Sequence, residues 1–458
     1  MKLKPILLNI SIISLLILSI EPEFCLANGY IADPQATQSQ ELIIEAIAIK
    51  GAFKTKHETV LRYLTFSEGD AIDQQAVEIN YKRLVDTNFF KRVYFLTQPG
   101  STKGKVILII ELEERLWPYF EIEGSYSEID GWYFSPLCLR LDNFFGGGRR
   151  NKLRLLFGDR LAGFDFDQYT PYIWSKNLNL NTNFYIMSRE IIHYFKYGDF
   201  QEKQEVTQKV GNVGLKLKYT ANHGIWKHFS MFYQLEAIFP DSVFKDKKNG
   251  NKLSTIPKII EEDTTRTSKG LLGFSVTTDT RDNRFYPTSG IWTSLSAEFA
   301  SPKFGGKLQF QRFMFDFRIY QRVSARNVVA LHLRFGNTTG SAPFYERFYL
   351  GGANSLRGYK GRSLTPVGWG TRLALGNIEY RFPLKYKDFP KHWLTGVMFY
   401  DFGAIGHSFE KFGREELRTG AGFGFRIRMP VLGLLRLDVA YPLETRGSEL
   451  HISIGHTF

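Results

Sequence analysis

Cysteine is nearly absent: Cys25 and Cys138 are the only two in 458 residues. That excludes a disulfide scaffold and a cysteine-ligated zinc site. Long apolar runs are equally rare. The mean hydropathy is −0.22, and a single stretch near the N-terminus is apolar enough to resemble a membrane helix, which argues against a bundle of such helices. Histidine is sparse, nine residues in scattered positions, and neither a His-Ser-carboxylate set nor a metal-ligand spacing stands out. The expectation is a protein that is not an enzyme, with no cofactor and no metal. What the chain does have is 40 Phe and 23 Tyr, too many aromatics for a disordered or low-complexity chain. A large β-rich protein is left.

The first segment reads as an address. Lys2 and Lys4 precede an apolar run from Ile6 to Ile20, and Cys25-Leu26-Ala27 offers small residues near a cleavage point. This is the pattern of a secretory signal peptide, assigned to residues 1–27, with a linker at 28–40. The alternative, a retained membrane anchor, suits the run less well because it is short and ends at Glu21-Pro22-Glu23.

Residues 41–115 carry eleven basic and eleven acidic side chains, so the net charge of +13 resides in the rest of the chain. There the basic residues are spread through alternating segments and form no patch, which speaks against nucleic acid as a partner. Scattered positive charge suits a phosphate-rich membrane surface or a polar lumen.

Within 41–115, Ile43 to Ile49 make a strand that ends at Gly51. Thr55 to Leu64 reads as a helix capped by Thr55, and Ala71 to Val85 as a second helix burying Ala76, Ile79, Tyr81, Leu84 and Val85. Two strands follow, around Phe89 to Phe95 and over Lys105 to Glu114. The order β-α-α-β-β, with Gly51 after the first strand and Asn88-Phe89-Phe90 before the second, resembles a POTRA domain. The chain departs from that family at Asp86-Thr87-Asn88, where a Gly commonly precedes the Phe. The resemblance implies a sheet edge to which an extended chain can add a strand; the alternative is a plain spacer.

From Trp117 onward the apolar pattern has period two. Phe313, Phe315, Phe317 and Ile319 alternate with Met314, Asp316 and Arg318, and Leu435, Leu437, Val439 and Tyr441 with Arg436, Asp438 and Ala440. The segments run to about ten residues, the length of a tilted membrane-crossing strand, and aromatics recur near their ends. With lipid outside, such a sheet must close. Sixteen candidate strands are expected, eight from 118–127 to 270–281 and eight from 290–300 to 449–458. The fold expected is a sixteen-stranded antiparallel transmembrane β-barrel over 116–458, preceded by one small POTRA-like domain.

A long insertion at 338–370 contains Gly351-Gly352-Ala353-Asn354-Ser355-Leu356-Arg357-Gly358-Tyr359. Parity in the next two strands turns Ile378, Tyr380, Met398 and Tyr400 to lipid, hence Glu379, Arg381 and Asp401 to the lumen. A guanidinium fits carboxylates in a fork, so the loop is expected to fold inward with Arg357 bridging Glu379 and Asp401. Spacing alone leaves open that all three are ordinary wet lumen charges. Gly146-Gly147-Gly148 with Arg149-Arg150 lacks the strand-loop-helix setting of a phosphate loop and reads as a turn.

Ser355-Leu356-Arg357-Gly358-Tyr359 resembles the Arg-Gly-aromatic loop signature of the BamA/TamA-type outer-membrane assembly superfamily, which also includes two-partner secretion transporters. Three more segments match it: Asp279-Thr280-Arg281-Asp282-Asn283 with Pro287 and Gly290, the Asp401-Phe402-Gly403 strand, and Gly420-Ala421-Gly422-Phe423-Gly424-Phe425-Arg426. The ending Ile452-Ser453-Ile454-Gly455-His456-Thr457-Phe458 is similar to the terminal aromatic signal of such barrels. The resemblance implies an in-folded loop and an insertion factor for the outer membrane of a Gram-negative-type bacterium, with the N-terminal domain in the periplasm. Client strands would pair at a seam between Trp117–Ser127 and Leu450–Phe458, where Ile452, Ile454 and Phe458 lie and Gly455 weakens the edge. The partners implied are unfolded outer-membrane or secreted protein clients, outer-membrane lipid and lipopolysaccharide, and accessory lipoproteins. The alternative is a two-partner-type translocator that exports a dedicated protein through the barrel. General assembly proteins of this family usually carry several POTRA domains and the transporters two; room for one here is read as pointing to a narrower client range or an accessory role.

Overall fold

Two sheets organise the chain. The computed structural model describes residues 42–454 except 116–117, 176, 197–202, 224–226, 254–263, 285, 367, 385–392, 409–416 and 430–432. The signal-peptide and linker assignments, Trp117, Gly455 and Phe458 lie outside the described residues.

The first unit runs β1 (Leu42–Lys50), α1 (His57–Tyr63), β2 (Ala71–Ile72), α2 (Gln74–Asp86), β3 (Phe90–Pro99) and β4 (Lys105–Glu114). Its sheet order is β2-β1-β4-β3, with β1 parallel to β4. Period-two alternation puts Leu108, Ile110 and Leu112 on one face of β4, where they join Ile44, Val60, Leu84 and Phe89 in one core. This mixed sheet with two helices is POTRA-like.

Both helices differ from expectation. Lys56, not Thr55, occupies the N-cap of α1 and, having no acceptor, makes no side-chain cap bond; the Thr55 hydroxyl instead donates to Glu114 and accepts from Asn143. Residues 71–72 pair with β1 instead of opening α2, and Asp73 caps that helix by accepting from Ala76 N. The buried side of α2 carries Asn80 and Leu84, whereas Ile79, Tyr81 and Val85 are exposed. Asn80 tolerates burial because its amide bonds Thr65 N, Thr65 Oγ1 and Ala76 O.

The barrel's first half comprises β5 (Tyr119–Ser127), β6 (Gly131–Phe144), β7 (Arg149–Gly158), β8 (Leu161–Thr170), β9 (Leu178–Lys196), β10 (Lys203–His223), β11 (Lys227–Asp246) and β12 (Thr267–Asp279). Its second half comprises β13 (Gly290–Ala300), β14 (Phe310–Arg322), β15 (Val328–Gly340), β16 (Arg372–Pro383), β17 (Leu394–Gly406), β18 (Arg418–Met429), β19 (Gly433–Pro442) and β20 (Glu449–Ile454). Each strand pairs antiparallel with the next, giving one 16-stranded sheet with β5 and β20 at its two ends. These ends lie side by side, yet among the described residues no ladder joins them. Phe313, Phe335, Ile378, Tyr400 and Phe423 are exposed on the outer wall, while Glu379, Asp401, Arg436 and Asp438 are buried inside, as a polar-lumen membrane barrel requires. Strands β9 to β11 reach 19, 21 and 20 residues, about twice what a crossing needs. Their surplus carries Ile191, Val206, Ile238 and Phe244 into an apolar cluster with Phe344 and Trp369 from the β15–β16 connection.

The small unit docks on the rim formed by the β6–β7 and β8–β9 turns. Lys56 N and Thr59 Oγ1 both donate to the Gly146 carbonyl, at 3.1 and 2.7 Å, and Asn143 Nδ2 donates to Thr55 Oγ1 at 2.6 Å. Tyr63 meets Tyr172 edge-on at 5.4 Å. The triple-glycine segment is thus a turn, and it serves as the docking pad.

The lumen loop, its charge cluster and the seam

The chain between β15 and β16 folds back into the lumen. Apolar side chains steer it: Leu350, Leu356 and Tyr359 are buried against Leu373 and Leu375 of the barrel wall. A tight turn, with Ser355 N donating to Gly352 O at 3.2 Å and Gly351 N to Ser355 Oγ at 3.0 Å, then presents Arg357 to β16 and β17. Asn377 Nδ2 holds the turn from the wall by donating to Ser355 O at 2.7 Å. At Gly358 the backbone takes φ 93, a region that glycine enters without steric cost. A Cβ there would also come within 2.9 Å of Pro442 N.

Arg357 is 0% exposed. Its Nε and Nη2 donate to Asp401 Oδ2 and Oδ1, each at 2.7 Å, and its Nη1 donates to Glu379 Oε1 at 2.8 Å. The Arg357 N–H adds a third bond to Asp401, at 3.1 Å. The guanidinium carbon lies 3.5 Å from the centroid of the Phe399 ring, a cation–π arrangement in a desolvated setting. Arg357, Glu379 and Asp401 thus lie in direct contact.

The cluster is larger than a triad. Glu379 also accepts from Arg381 Nε at 2.9 Å and Arg426 Nη2 at 3.1 Å. Asp438 accepts from Arg426 and Arg436 and stands 3.6 Å from Arg357 Nη1. Four arginines thus share three carboxylates, and all seven side chains are buried. Charges so far from water persist only when paired and hydrogen-bonded. Parity already placed Arg436 and Asp438 on the charged face of their strand; the missing information was register. Arg426 stands opposite Arg436 and Gly424 opposite Asp438, which brings β16 to β19 around one arginine. The glycines of β18 make room for it. A Cβ at Gly420 would run into the Arg357 carbonyl oxygen, and one at Gly424 into the Asp438 carboxylate.

The same loop reaches both sides of the seam. Gly358 N donates to His451 Nε2 of β20 at 3.3 Å, and the Tyr359 hydroxyl bonds the Glu444 carboxylate and Thr419 O. Burial at Glu444 is outweighed by bonds from Thr419 and Tyr359, which hold its carboxyl below the usual range. On the other side, Asn354 bonds Glu128, just beyond the end of β5. Ile452 and Ile454 stand opposite Leu437 and Leu435 in the β19–β20 ladder. The Asp279–Asn283 motif lies elsewhere, in the β12–β13 turn. There Arg281 forks onto Asp279 at 2.9 Å through both Nε and Nη2, and Asp282 ties together the N–H groups of Asn283, Thr288 and Ser289.

Among the described residues one trio, Glu121, Glu123 and Cys138, has metal-compatible spacing. Its carboxylates already face Arg140, Lys152 and Arg154, which leaves little charge for a cation.

From the end of β6 onward, residues 143–458, the chain matches a known family model, the Omp85 superfamily domain. The chain is 26% identical over 426 residues to the outer membrane protein assembly factor BamA of Nitratidesulfovibrio vulgaris, covering 90% of this chain and 50% of that protein. It is 23% identical over 469 residues to BamA of Neisseria meningitidis, covering 92% of this chain and 57% of that protein. It therefore spans about half the length of these relatives. Among solved structures, BamA from Haemophilus ducreyi lacking POTRA domains 1-3 superposes with a TM-score of 0.62 at 16% identity, over 90% of this chain and 83% of that one. CdiB from Acinetobacter baumannii gives 0.56 at 13% identity, over 91% and 74%. With the family model matched over most of its length and a sixteen-stranded barrel to go with it, the protein belongs to the Omp85 superfamily.

Proposed function

We propose that this chain is an outer-membrane protein assembly factor that inserts client β-strands through the β5–β20 seam, with its small N-terminal unit in the periplasm. The observation that carries the reading is the break in the barrel: sixteen strands form one sheet, and among the described residues its two end strands meet without a ladder. Unpaired strand edges are templates for an incoming strand. The chemistry is non-covalent exchange of backbone hydrogen bonds, and the clients are unfolded outer-membrane proteins. The loop and the buried charge cluster that its Arg357 forms with six side chains of β16 to β19 occupy the lumen, which favours a lateral route over export through the centre. The carboxylate–arginine cluster acts as a brace: it fixes the loop to β16–β19 while the loop bonds His451 of β20 and Glu128, just beyond β5.

The test is a disulfide engineered between β5 and β20, in cells whose own copy is depleted. Depletion is expected to lower many outer-membrane barrels, and the reduced variant, but not the oxidised one, is expected to restore them. Full restoration by the oxidised variant would rule out the seam route. Loss of a single secreted protein, with other barrels intact, would replace this reading with a dedicated exporter.

A further inference from the structure

Opposite the seam, the outer wall of β9 to β13 is not smooth. Tyr219, Phe229, Phe274 and Leu295 wall an open apolar groove of about 720 Å³, and Ala221 and Ala297 leave its floor low. The register explains the shape. Ala221 stands opposite Phe229, and Ala297 opposite Phe274, so each small side chain sits beside a large ring. The volume falls in the range of small-ligand sites, roughly 300–1,000 Å³.

Trp174 closes the groove at the rim that carries the N-terminal unit. It is 85% exposed, stacks on Tyr219 with centroids 6.1 Å apart and planes at 13°, and has φ 59. A bulky residue in the left-handed region persists only where its surroundings hold it there. Two residues earlier Tyr172, at φ 58, packs on Tyr63 of α1. One turn therefore grips the N-terminal unit with one ring and covers the groove with the other.

Charge stands at the same mouth. Lys227, the first residue of β11, is exposed on the outward column of Phe229 and Met231, one step nearer the rim. Among the described residues no ion pair engages it. A lysine at that depth lays its stem along apolar surface and its ammonium among lipid headgroups.

We propose that this groove is a binding site for an anionic glycerophospholipid of the leaflet on the N-terminal side. One acyl chain lies between Phe229 and Phe274 beneath Trp174, and the phosphate meets Lys227. The site tethers the stationary wall of the barrel to one leaflet while the seam on the far side opens.

The experiment uses the full chain in phosphatidylcholine bilayers doped with phosphatidylglycerol brominated on its acyl chains. The Trp174 signal is the difference between wild type and Trp174→Phe. Quenching is expected to saturate at a lower mole fraction than random lipid contact gives. Lys227→Gln should raise the half-quenching fraction about fivefold, the equivalent of about 1 kcal/mol for one basic group near an anionic surface, and Lys227→Arg should restore it. Ala297→Phe, which fills the floor, should remove the saturable part while the heat-dependent gel mobility of a folded barrel is retained; Ala221→Leu serves if it is not. Quenching that rises linearly and equally in wild type and Lys227→Gln means ordinary annular lipid and overturns the site. No quenching at any fraction overturns the membrane placement of this wall and the site with it.

Discussion

Asn354 donates its backbone N–H to Glu128 Oε1 at 2.5 Å and its side-chain amide to Oε2 at 3.2 Å, across 226 residues of sequence. Its carbonyl oxygen accepts from Arg436 Nη1 at 2.8 Å. One residue thus links the start of the barrel sheet to its fifteenth strand, spanning a seam across which no ladder runs among the described residues.

Asn354→Ala is expected to loosen that link without unfolding the barrel. Hydrogen bonds to charged groups contribute about 1.5–3 kcal/mol each, so the closed seam should lose about 2 kcal/mol relative to open forms. Cysteines across β5 and β20 report it: cross-linking at the relaxed spacing should slow, and channel openings in planar bilayers should become more frequent. Unchanged gating would show that the loop is a passenger at the seam.

Arg357→Met and Asp401→Asn should each be strongly destabilising, by about 3–5 kcal/mol, because each leaves its partner buried and uncompensated. The double variant should cost clearly less than the sum, the mark of direct coupling. Thermal loss of the compact gel form gives all three values. Arg357→Glu should in turn be partly rescued by Asp401→Arg, and strict additivity of the pair would remove the bridge from the account.

Gly420→Ala isolates sterics from backbone strain, since Gly420 does not have positive φ. Its new methyl would meet the Arg357 carbonyl, a backbone group that cannot swing aside. Overpacking of this kind costs about 1–3 kcal/mol, and the loop should become accessible to protease from the lumen. A protected loop in Gly420→Ala would mean that the loop can shift and keep its bonds.

Docking of the N-terminal unit should weaken in acid. At Glu114 the effect of burial is outweighed by hydrogen bonds from Thr55 and from the Lys54 and Thr55 N–H groups, so its carboxyl lies below the ordinary 4.5. A depressed carboxylate stabilises above its unfolded pKa, and that contribution disappears as pH falls through the folded value. Thr55, which Glu114 positions, is the hydroxyl that Asn143 of the barrel bonds. Cross-linking between α1 and the β6–β7 turn should therefore hold steady at neutral pH and fall below the ordinary carboxylate range. Glu114→Gln should be weak at every pH.

Much of this molecule is written in local pattern. Alternation of period two reports which face of each strand meets lipid, because side chains on a strand point alternately to opposite sides. That is why Ile378 and Tyr400 lie outside and Glu379 and Asp401 inside, and why sixteen strands could be counted. Turn chemistry is local too: Asp282 ties together the N–H groups of Asn283, Thr288 and Ser289, all within a few residues of itself. Where pattern misled, a distant partner had intervened. Thr55 has the makings of a cap but is claimed by Glu114, and Asn80 is buried because Thr65 satisfies it. The seven-membered cluster, the span of Asn354 from Glu128 to Arg436 and the lipid-side groove under Trp174 depend on register between strands and on how the loop re-enters the barrel. Those are long-range choices, fixed by packing and charge pairing among residues up to hundreds of positions apart, and only the tertiary structure decides them.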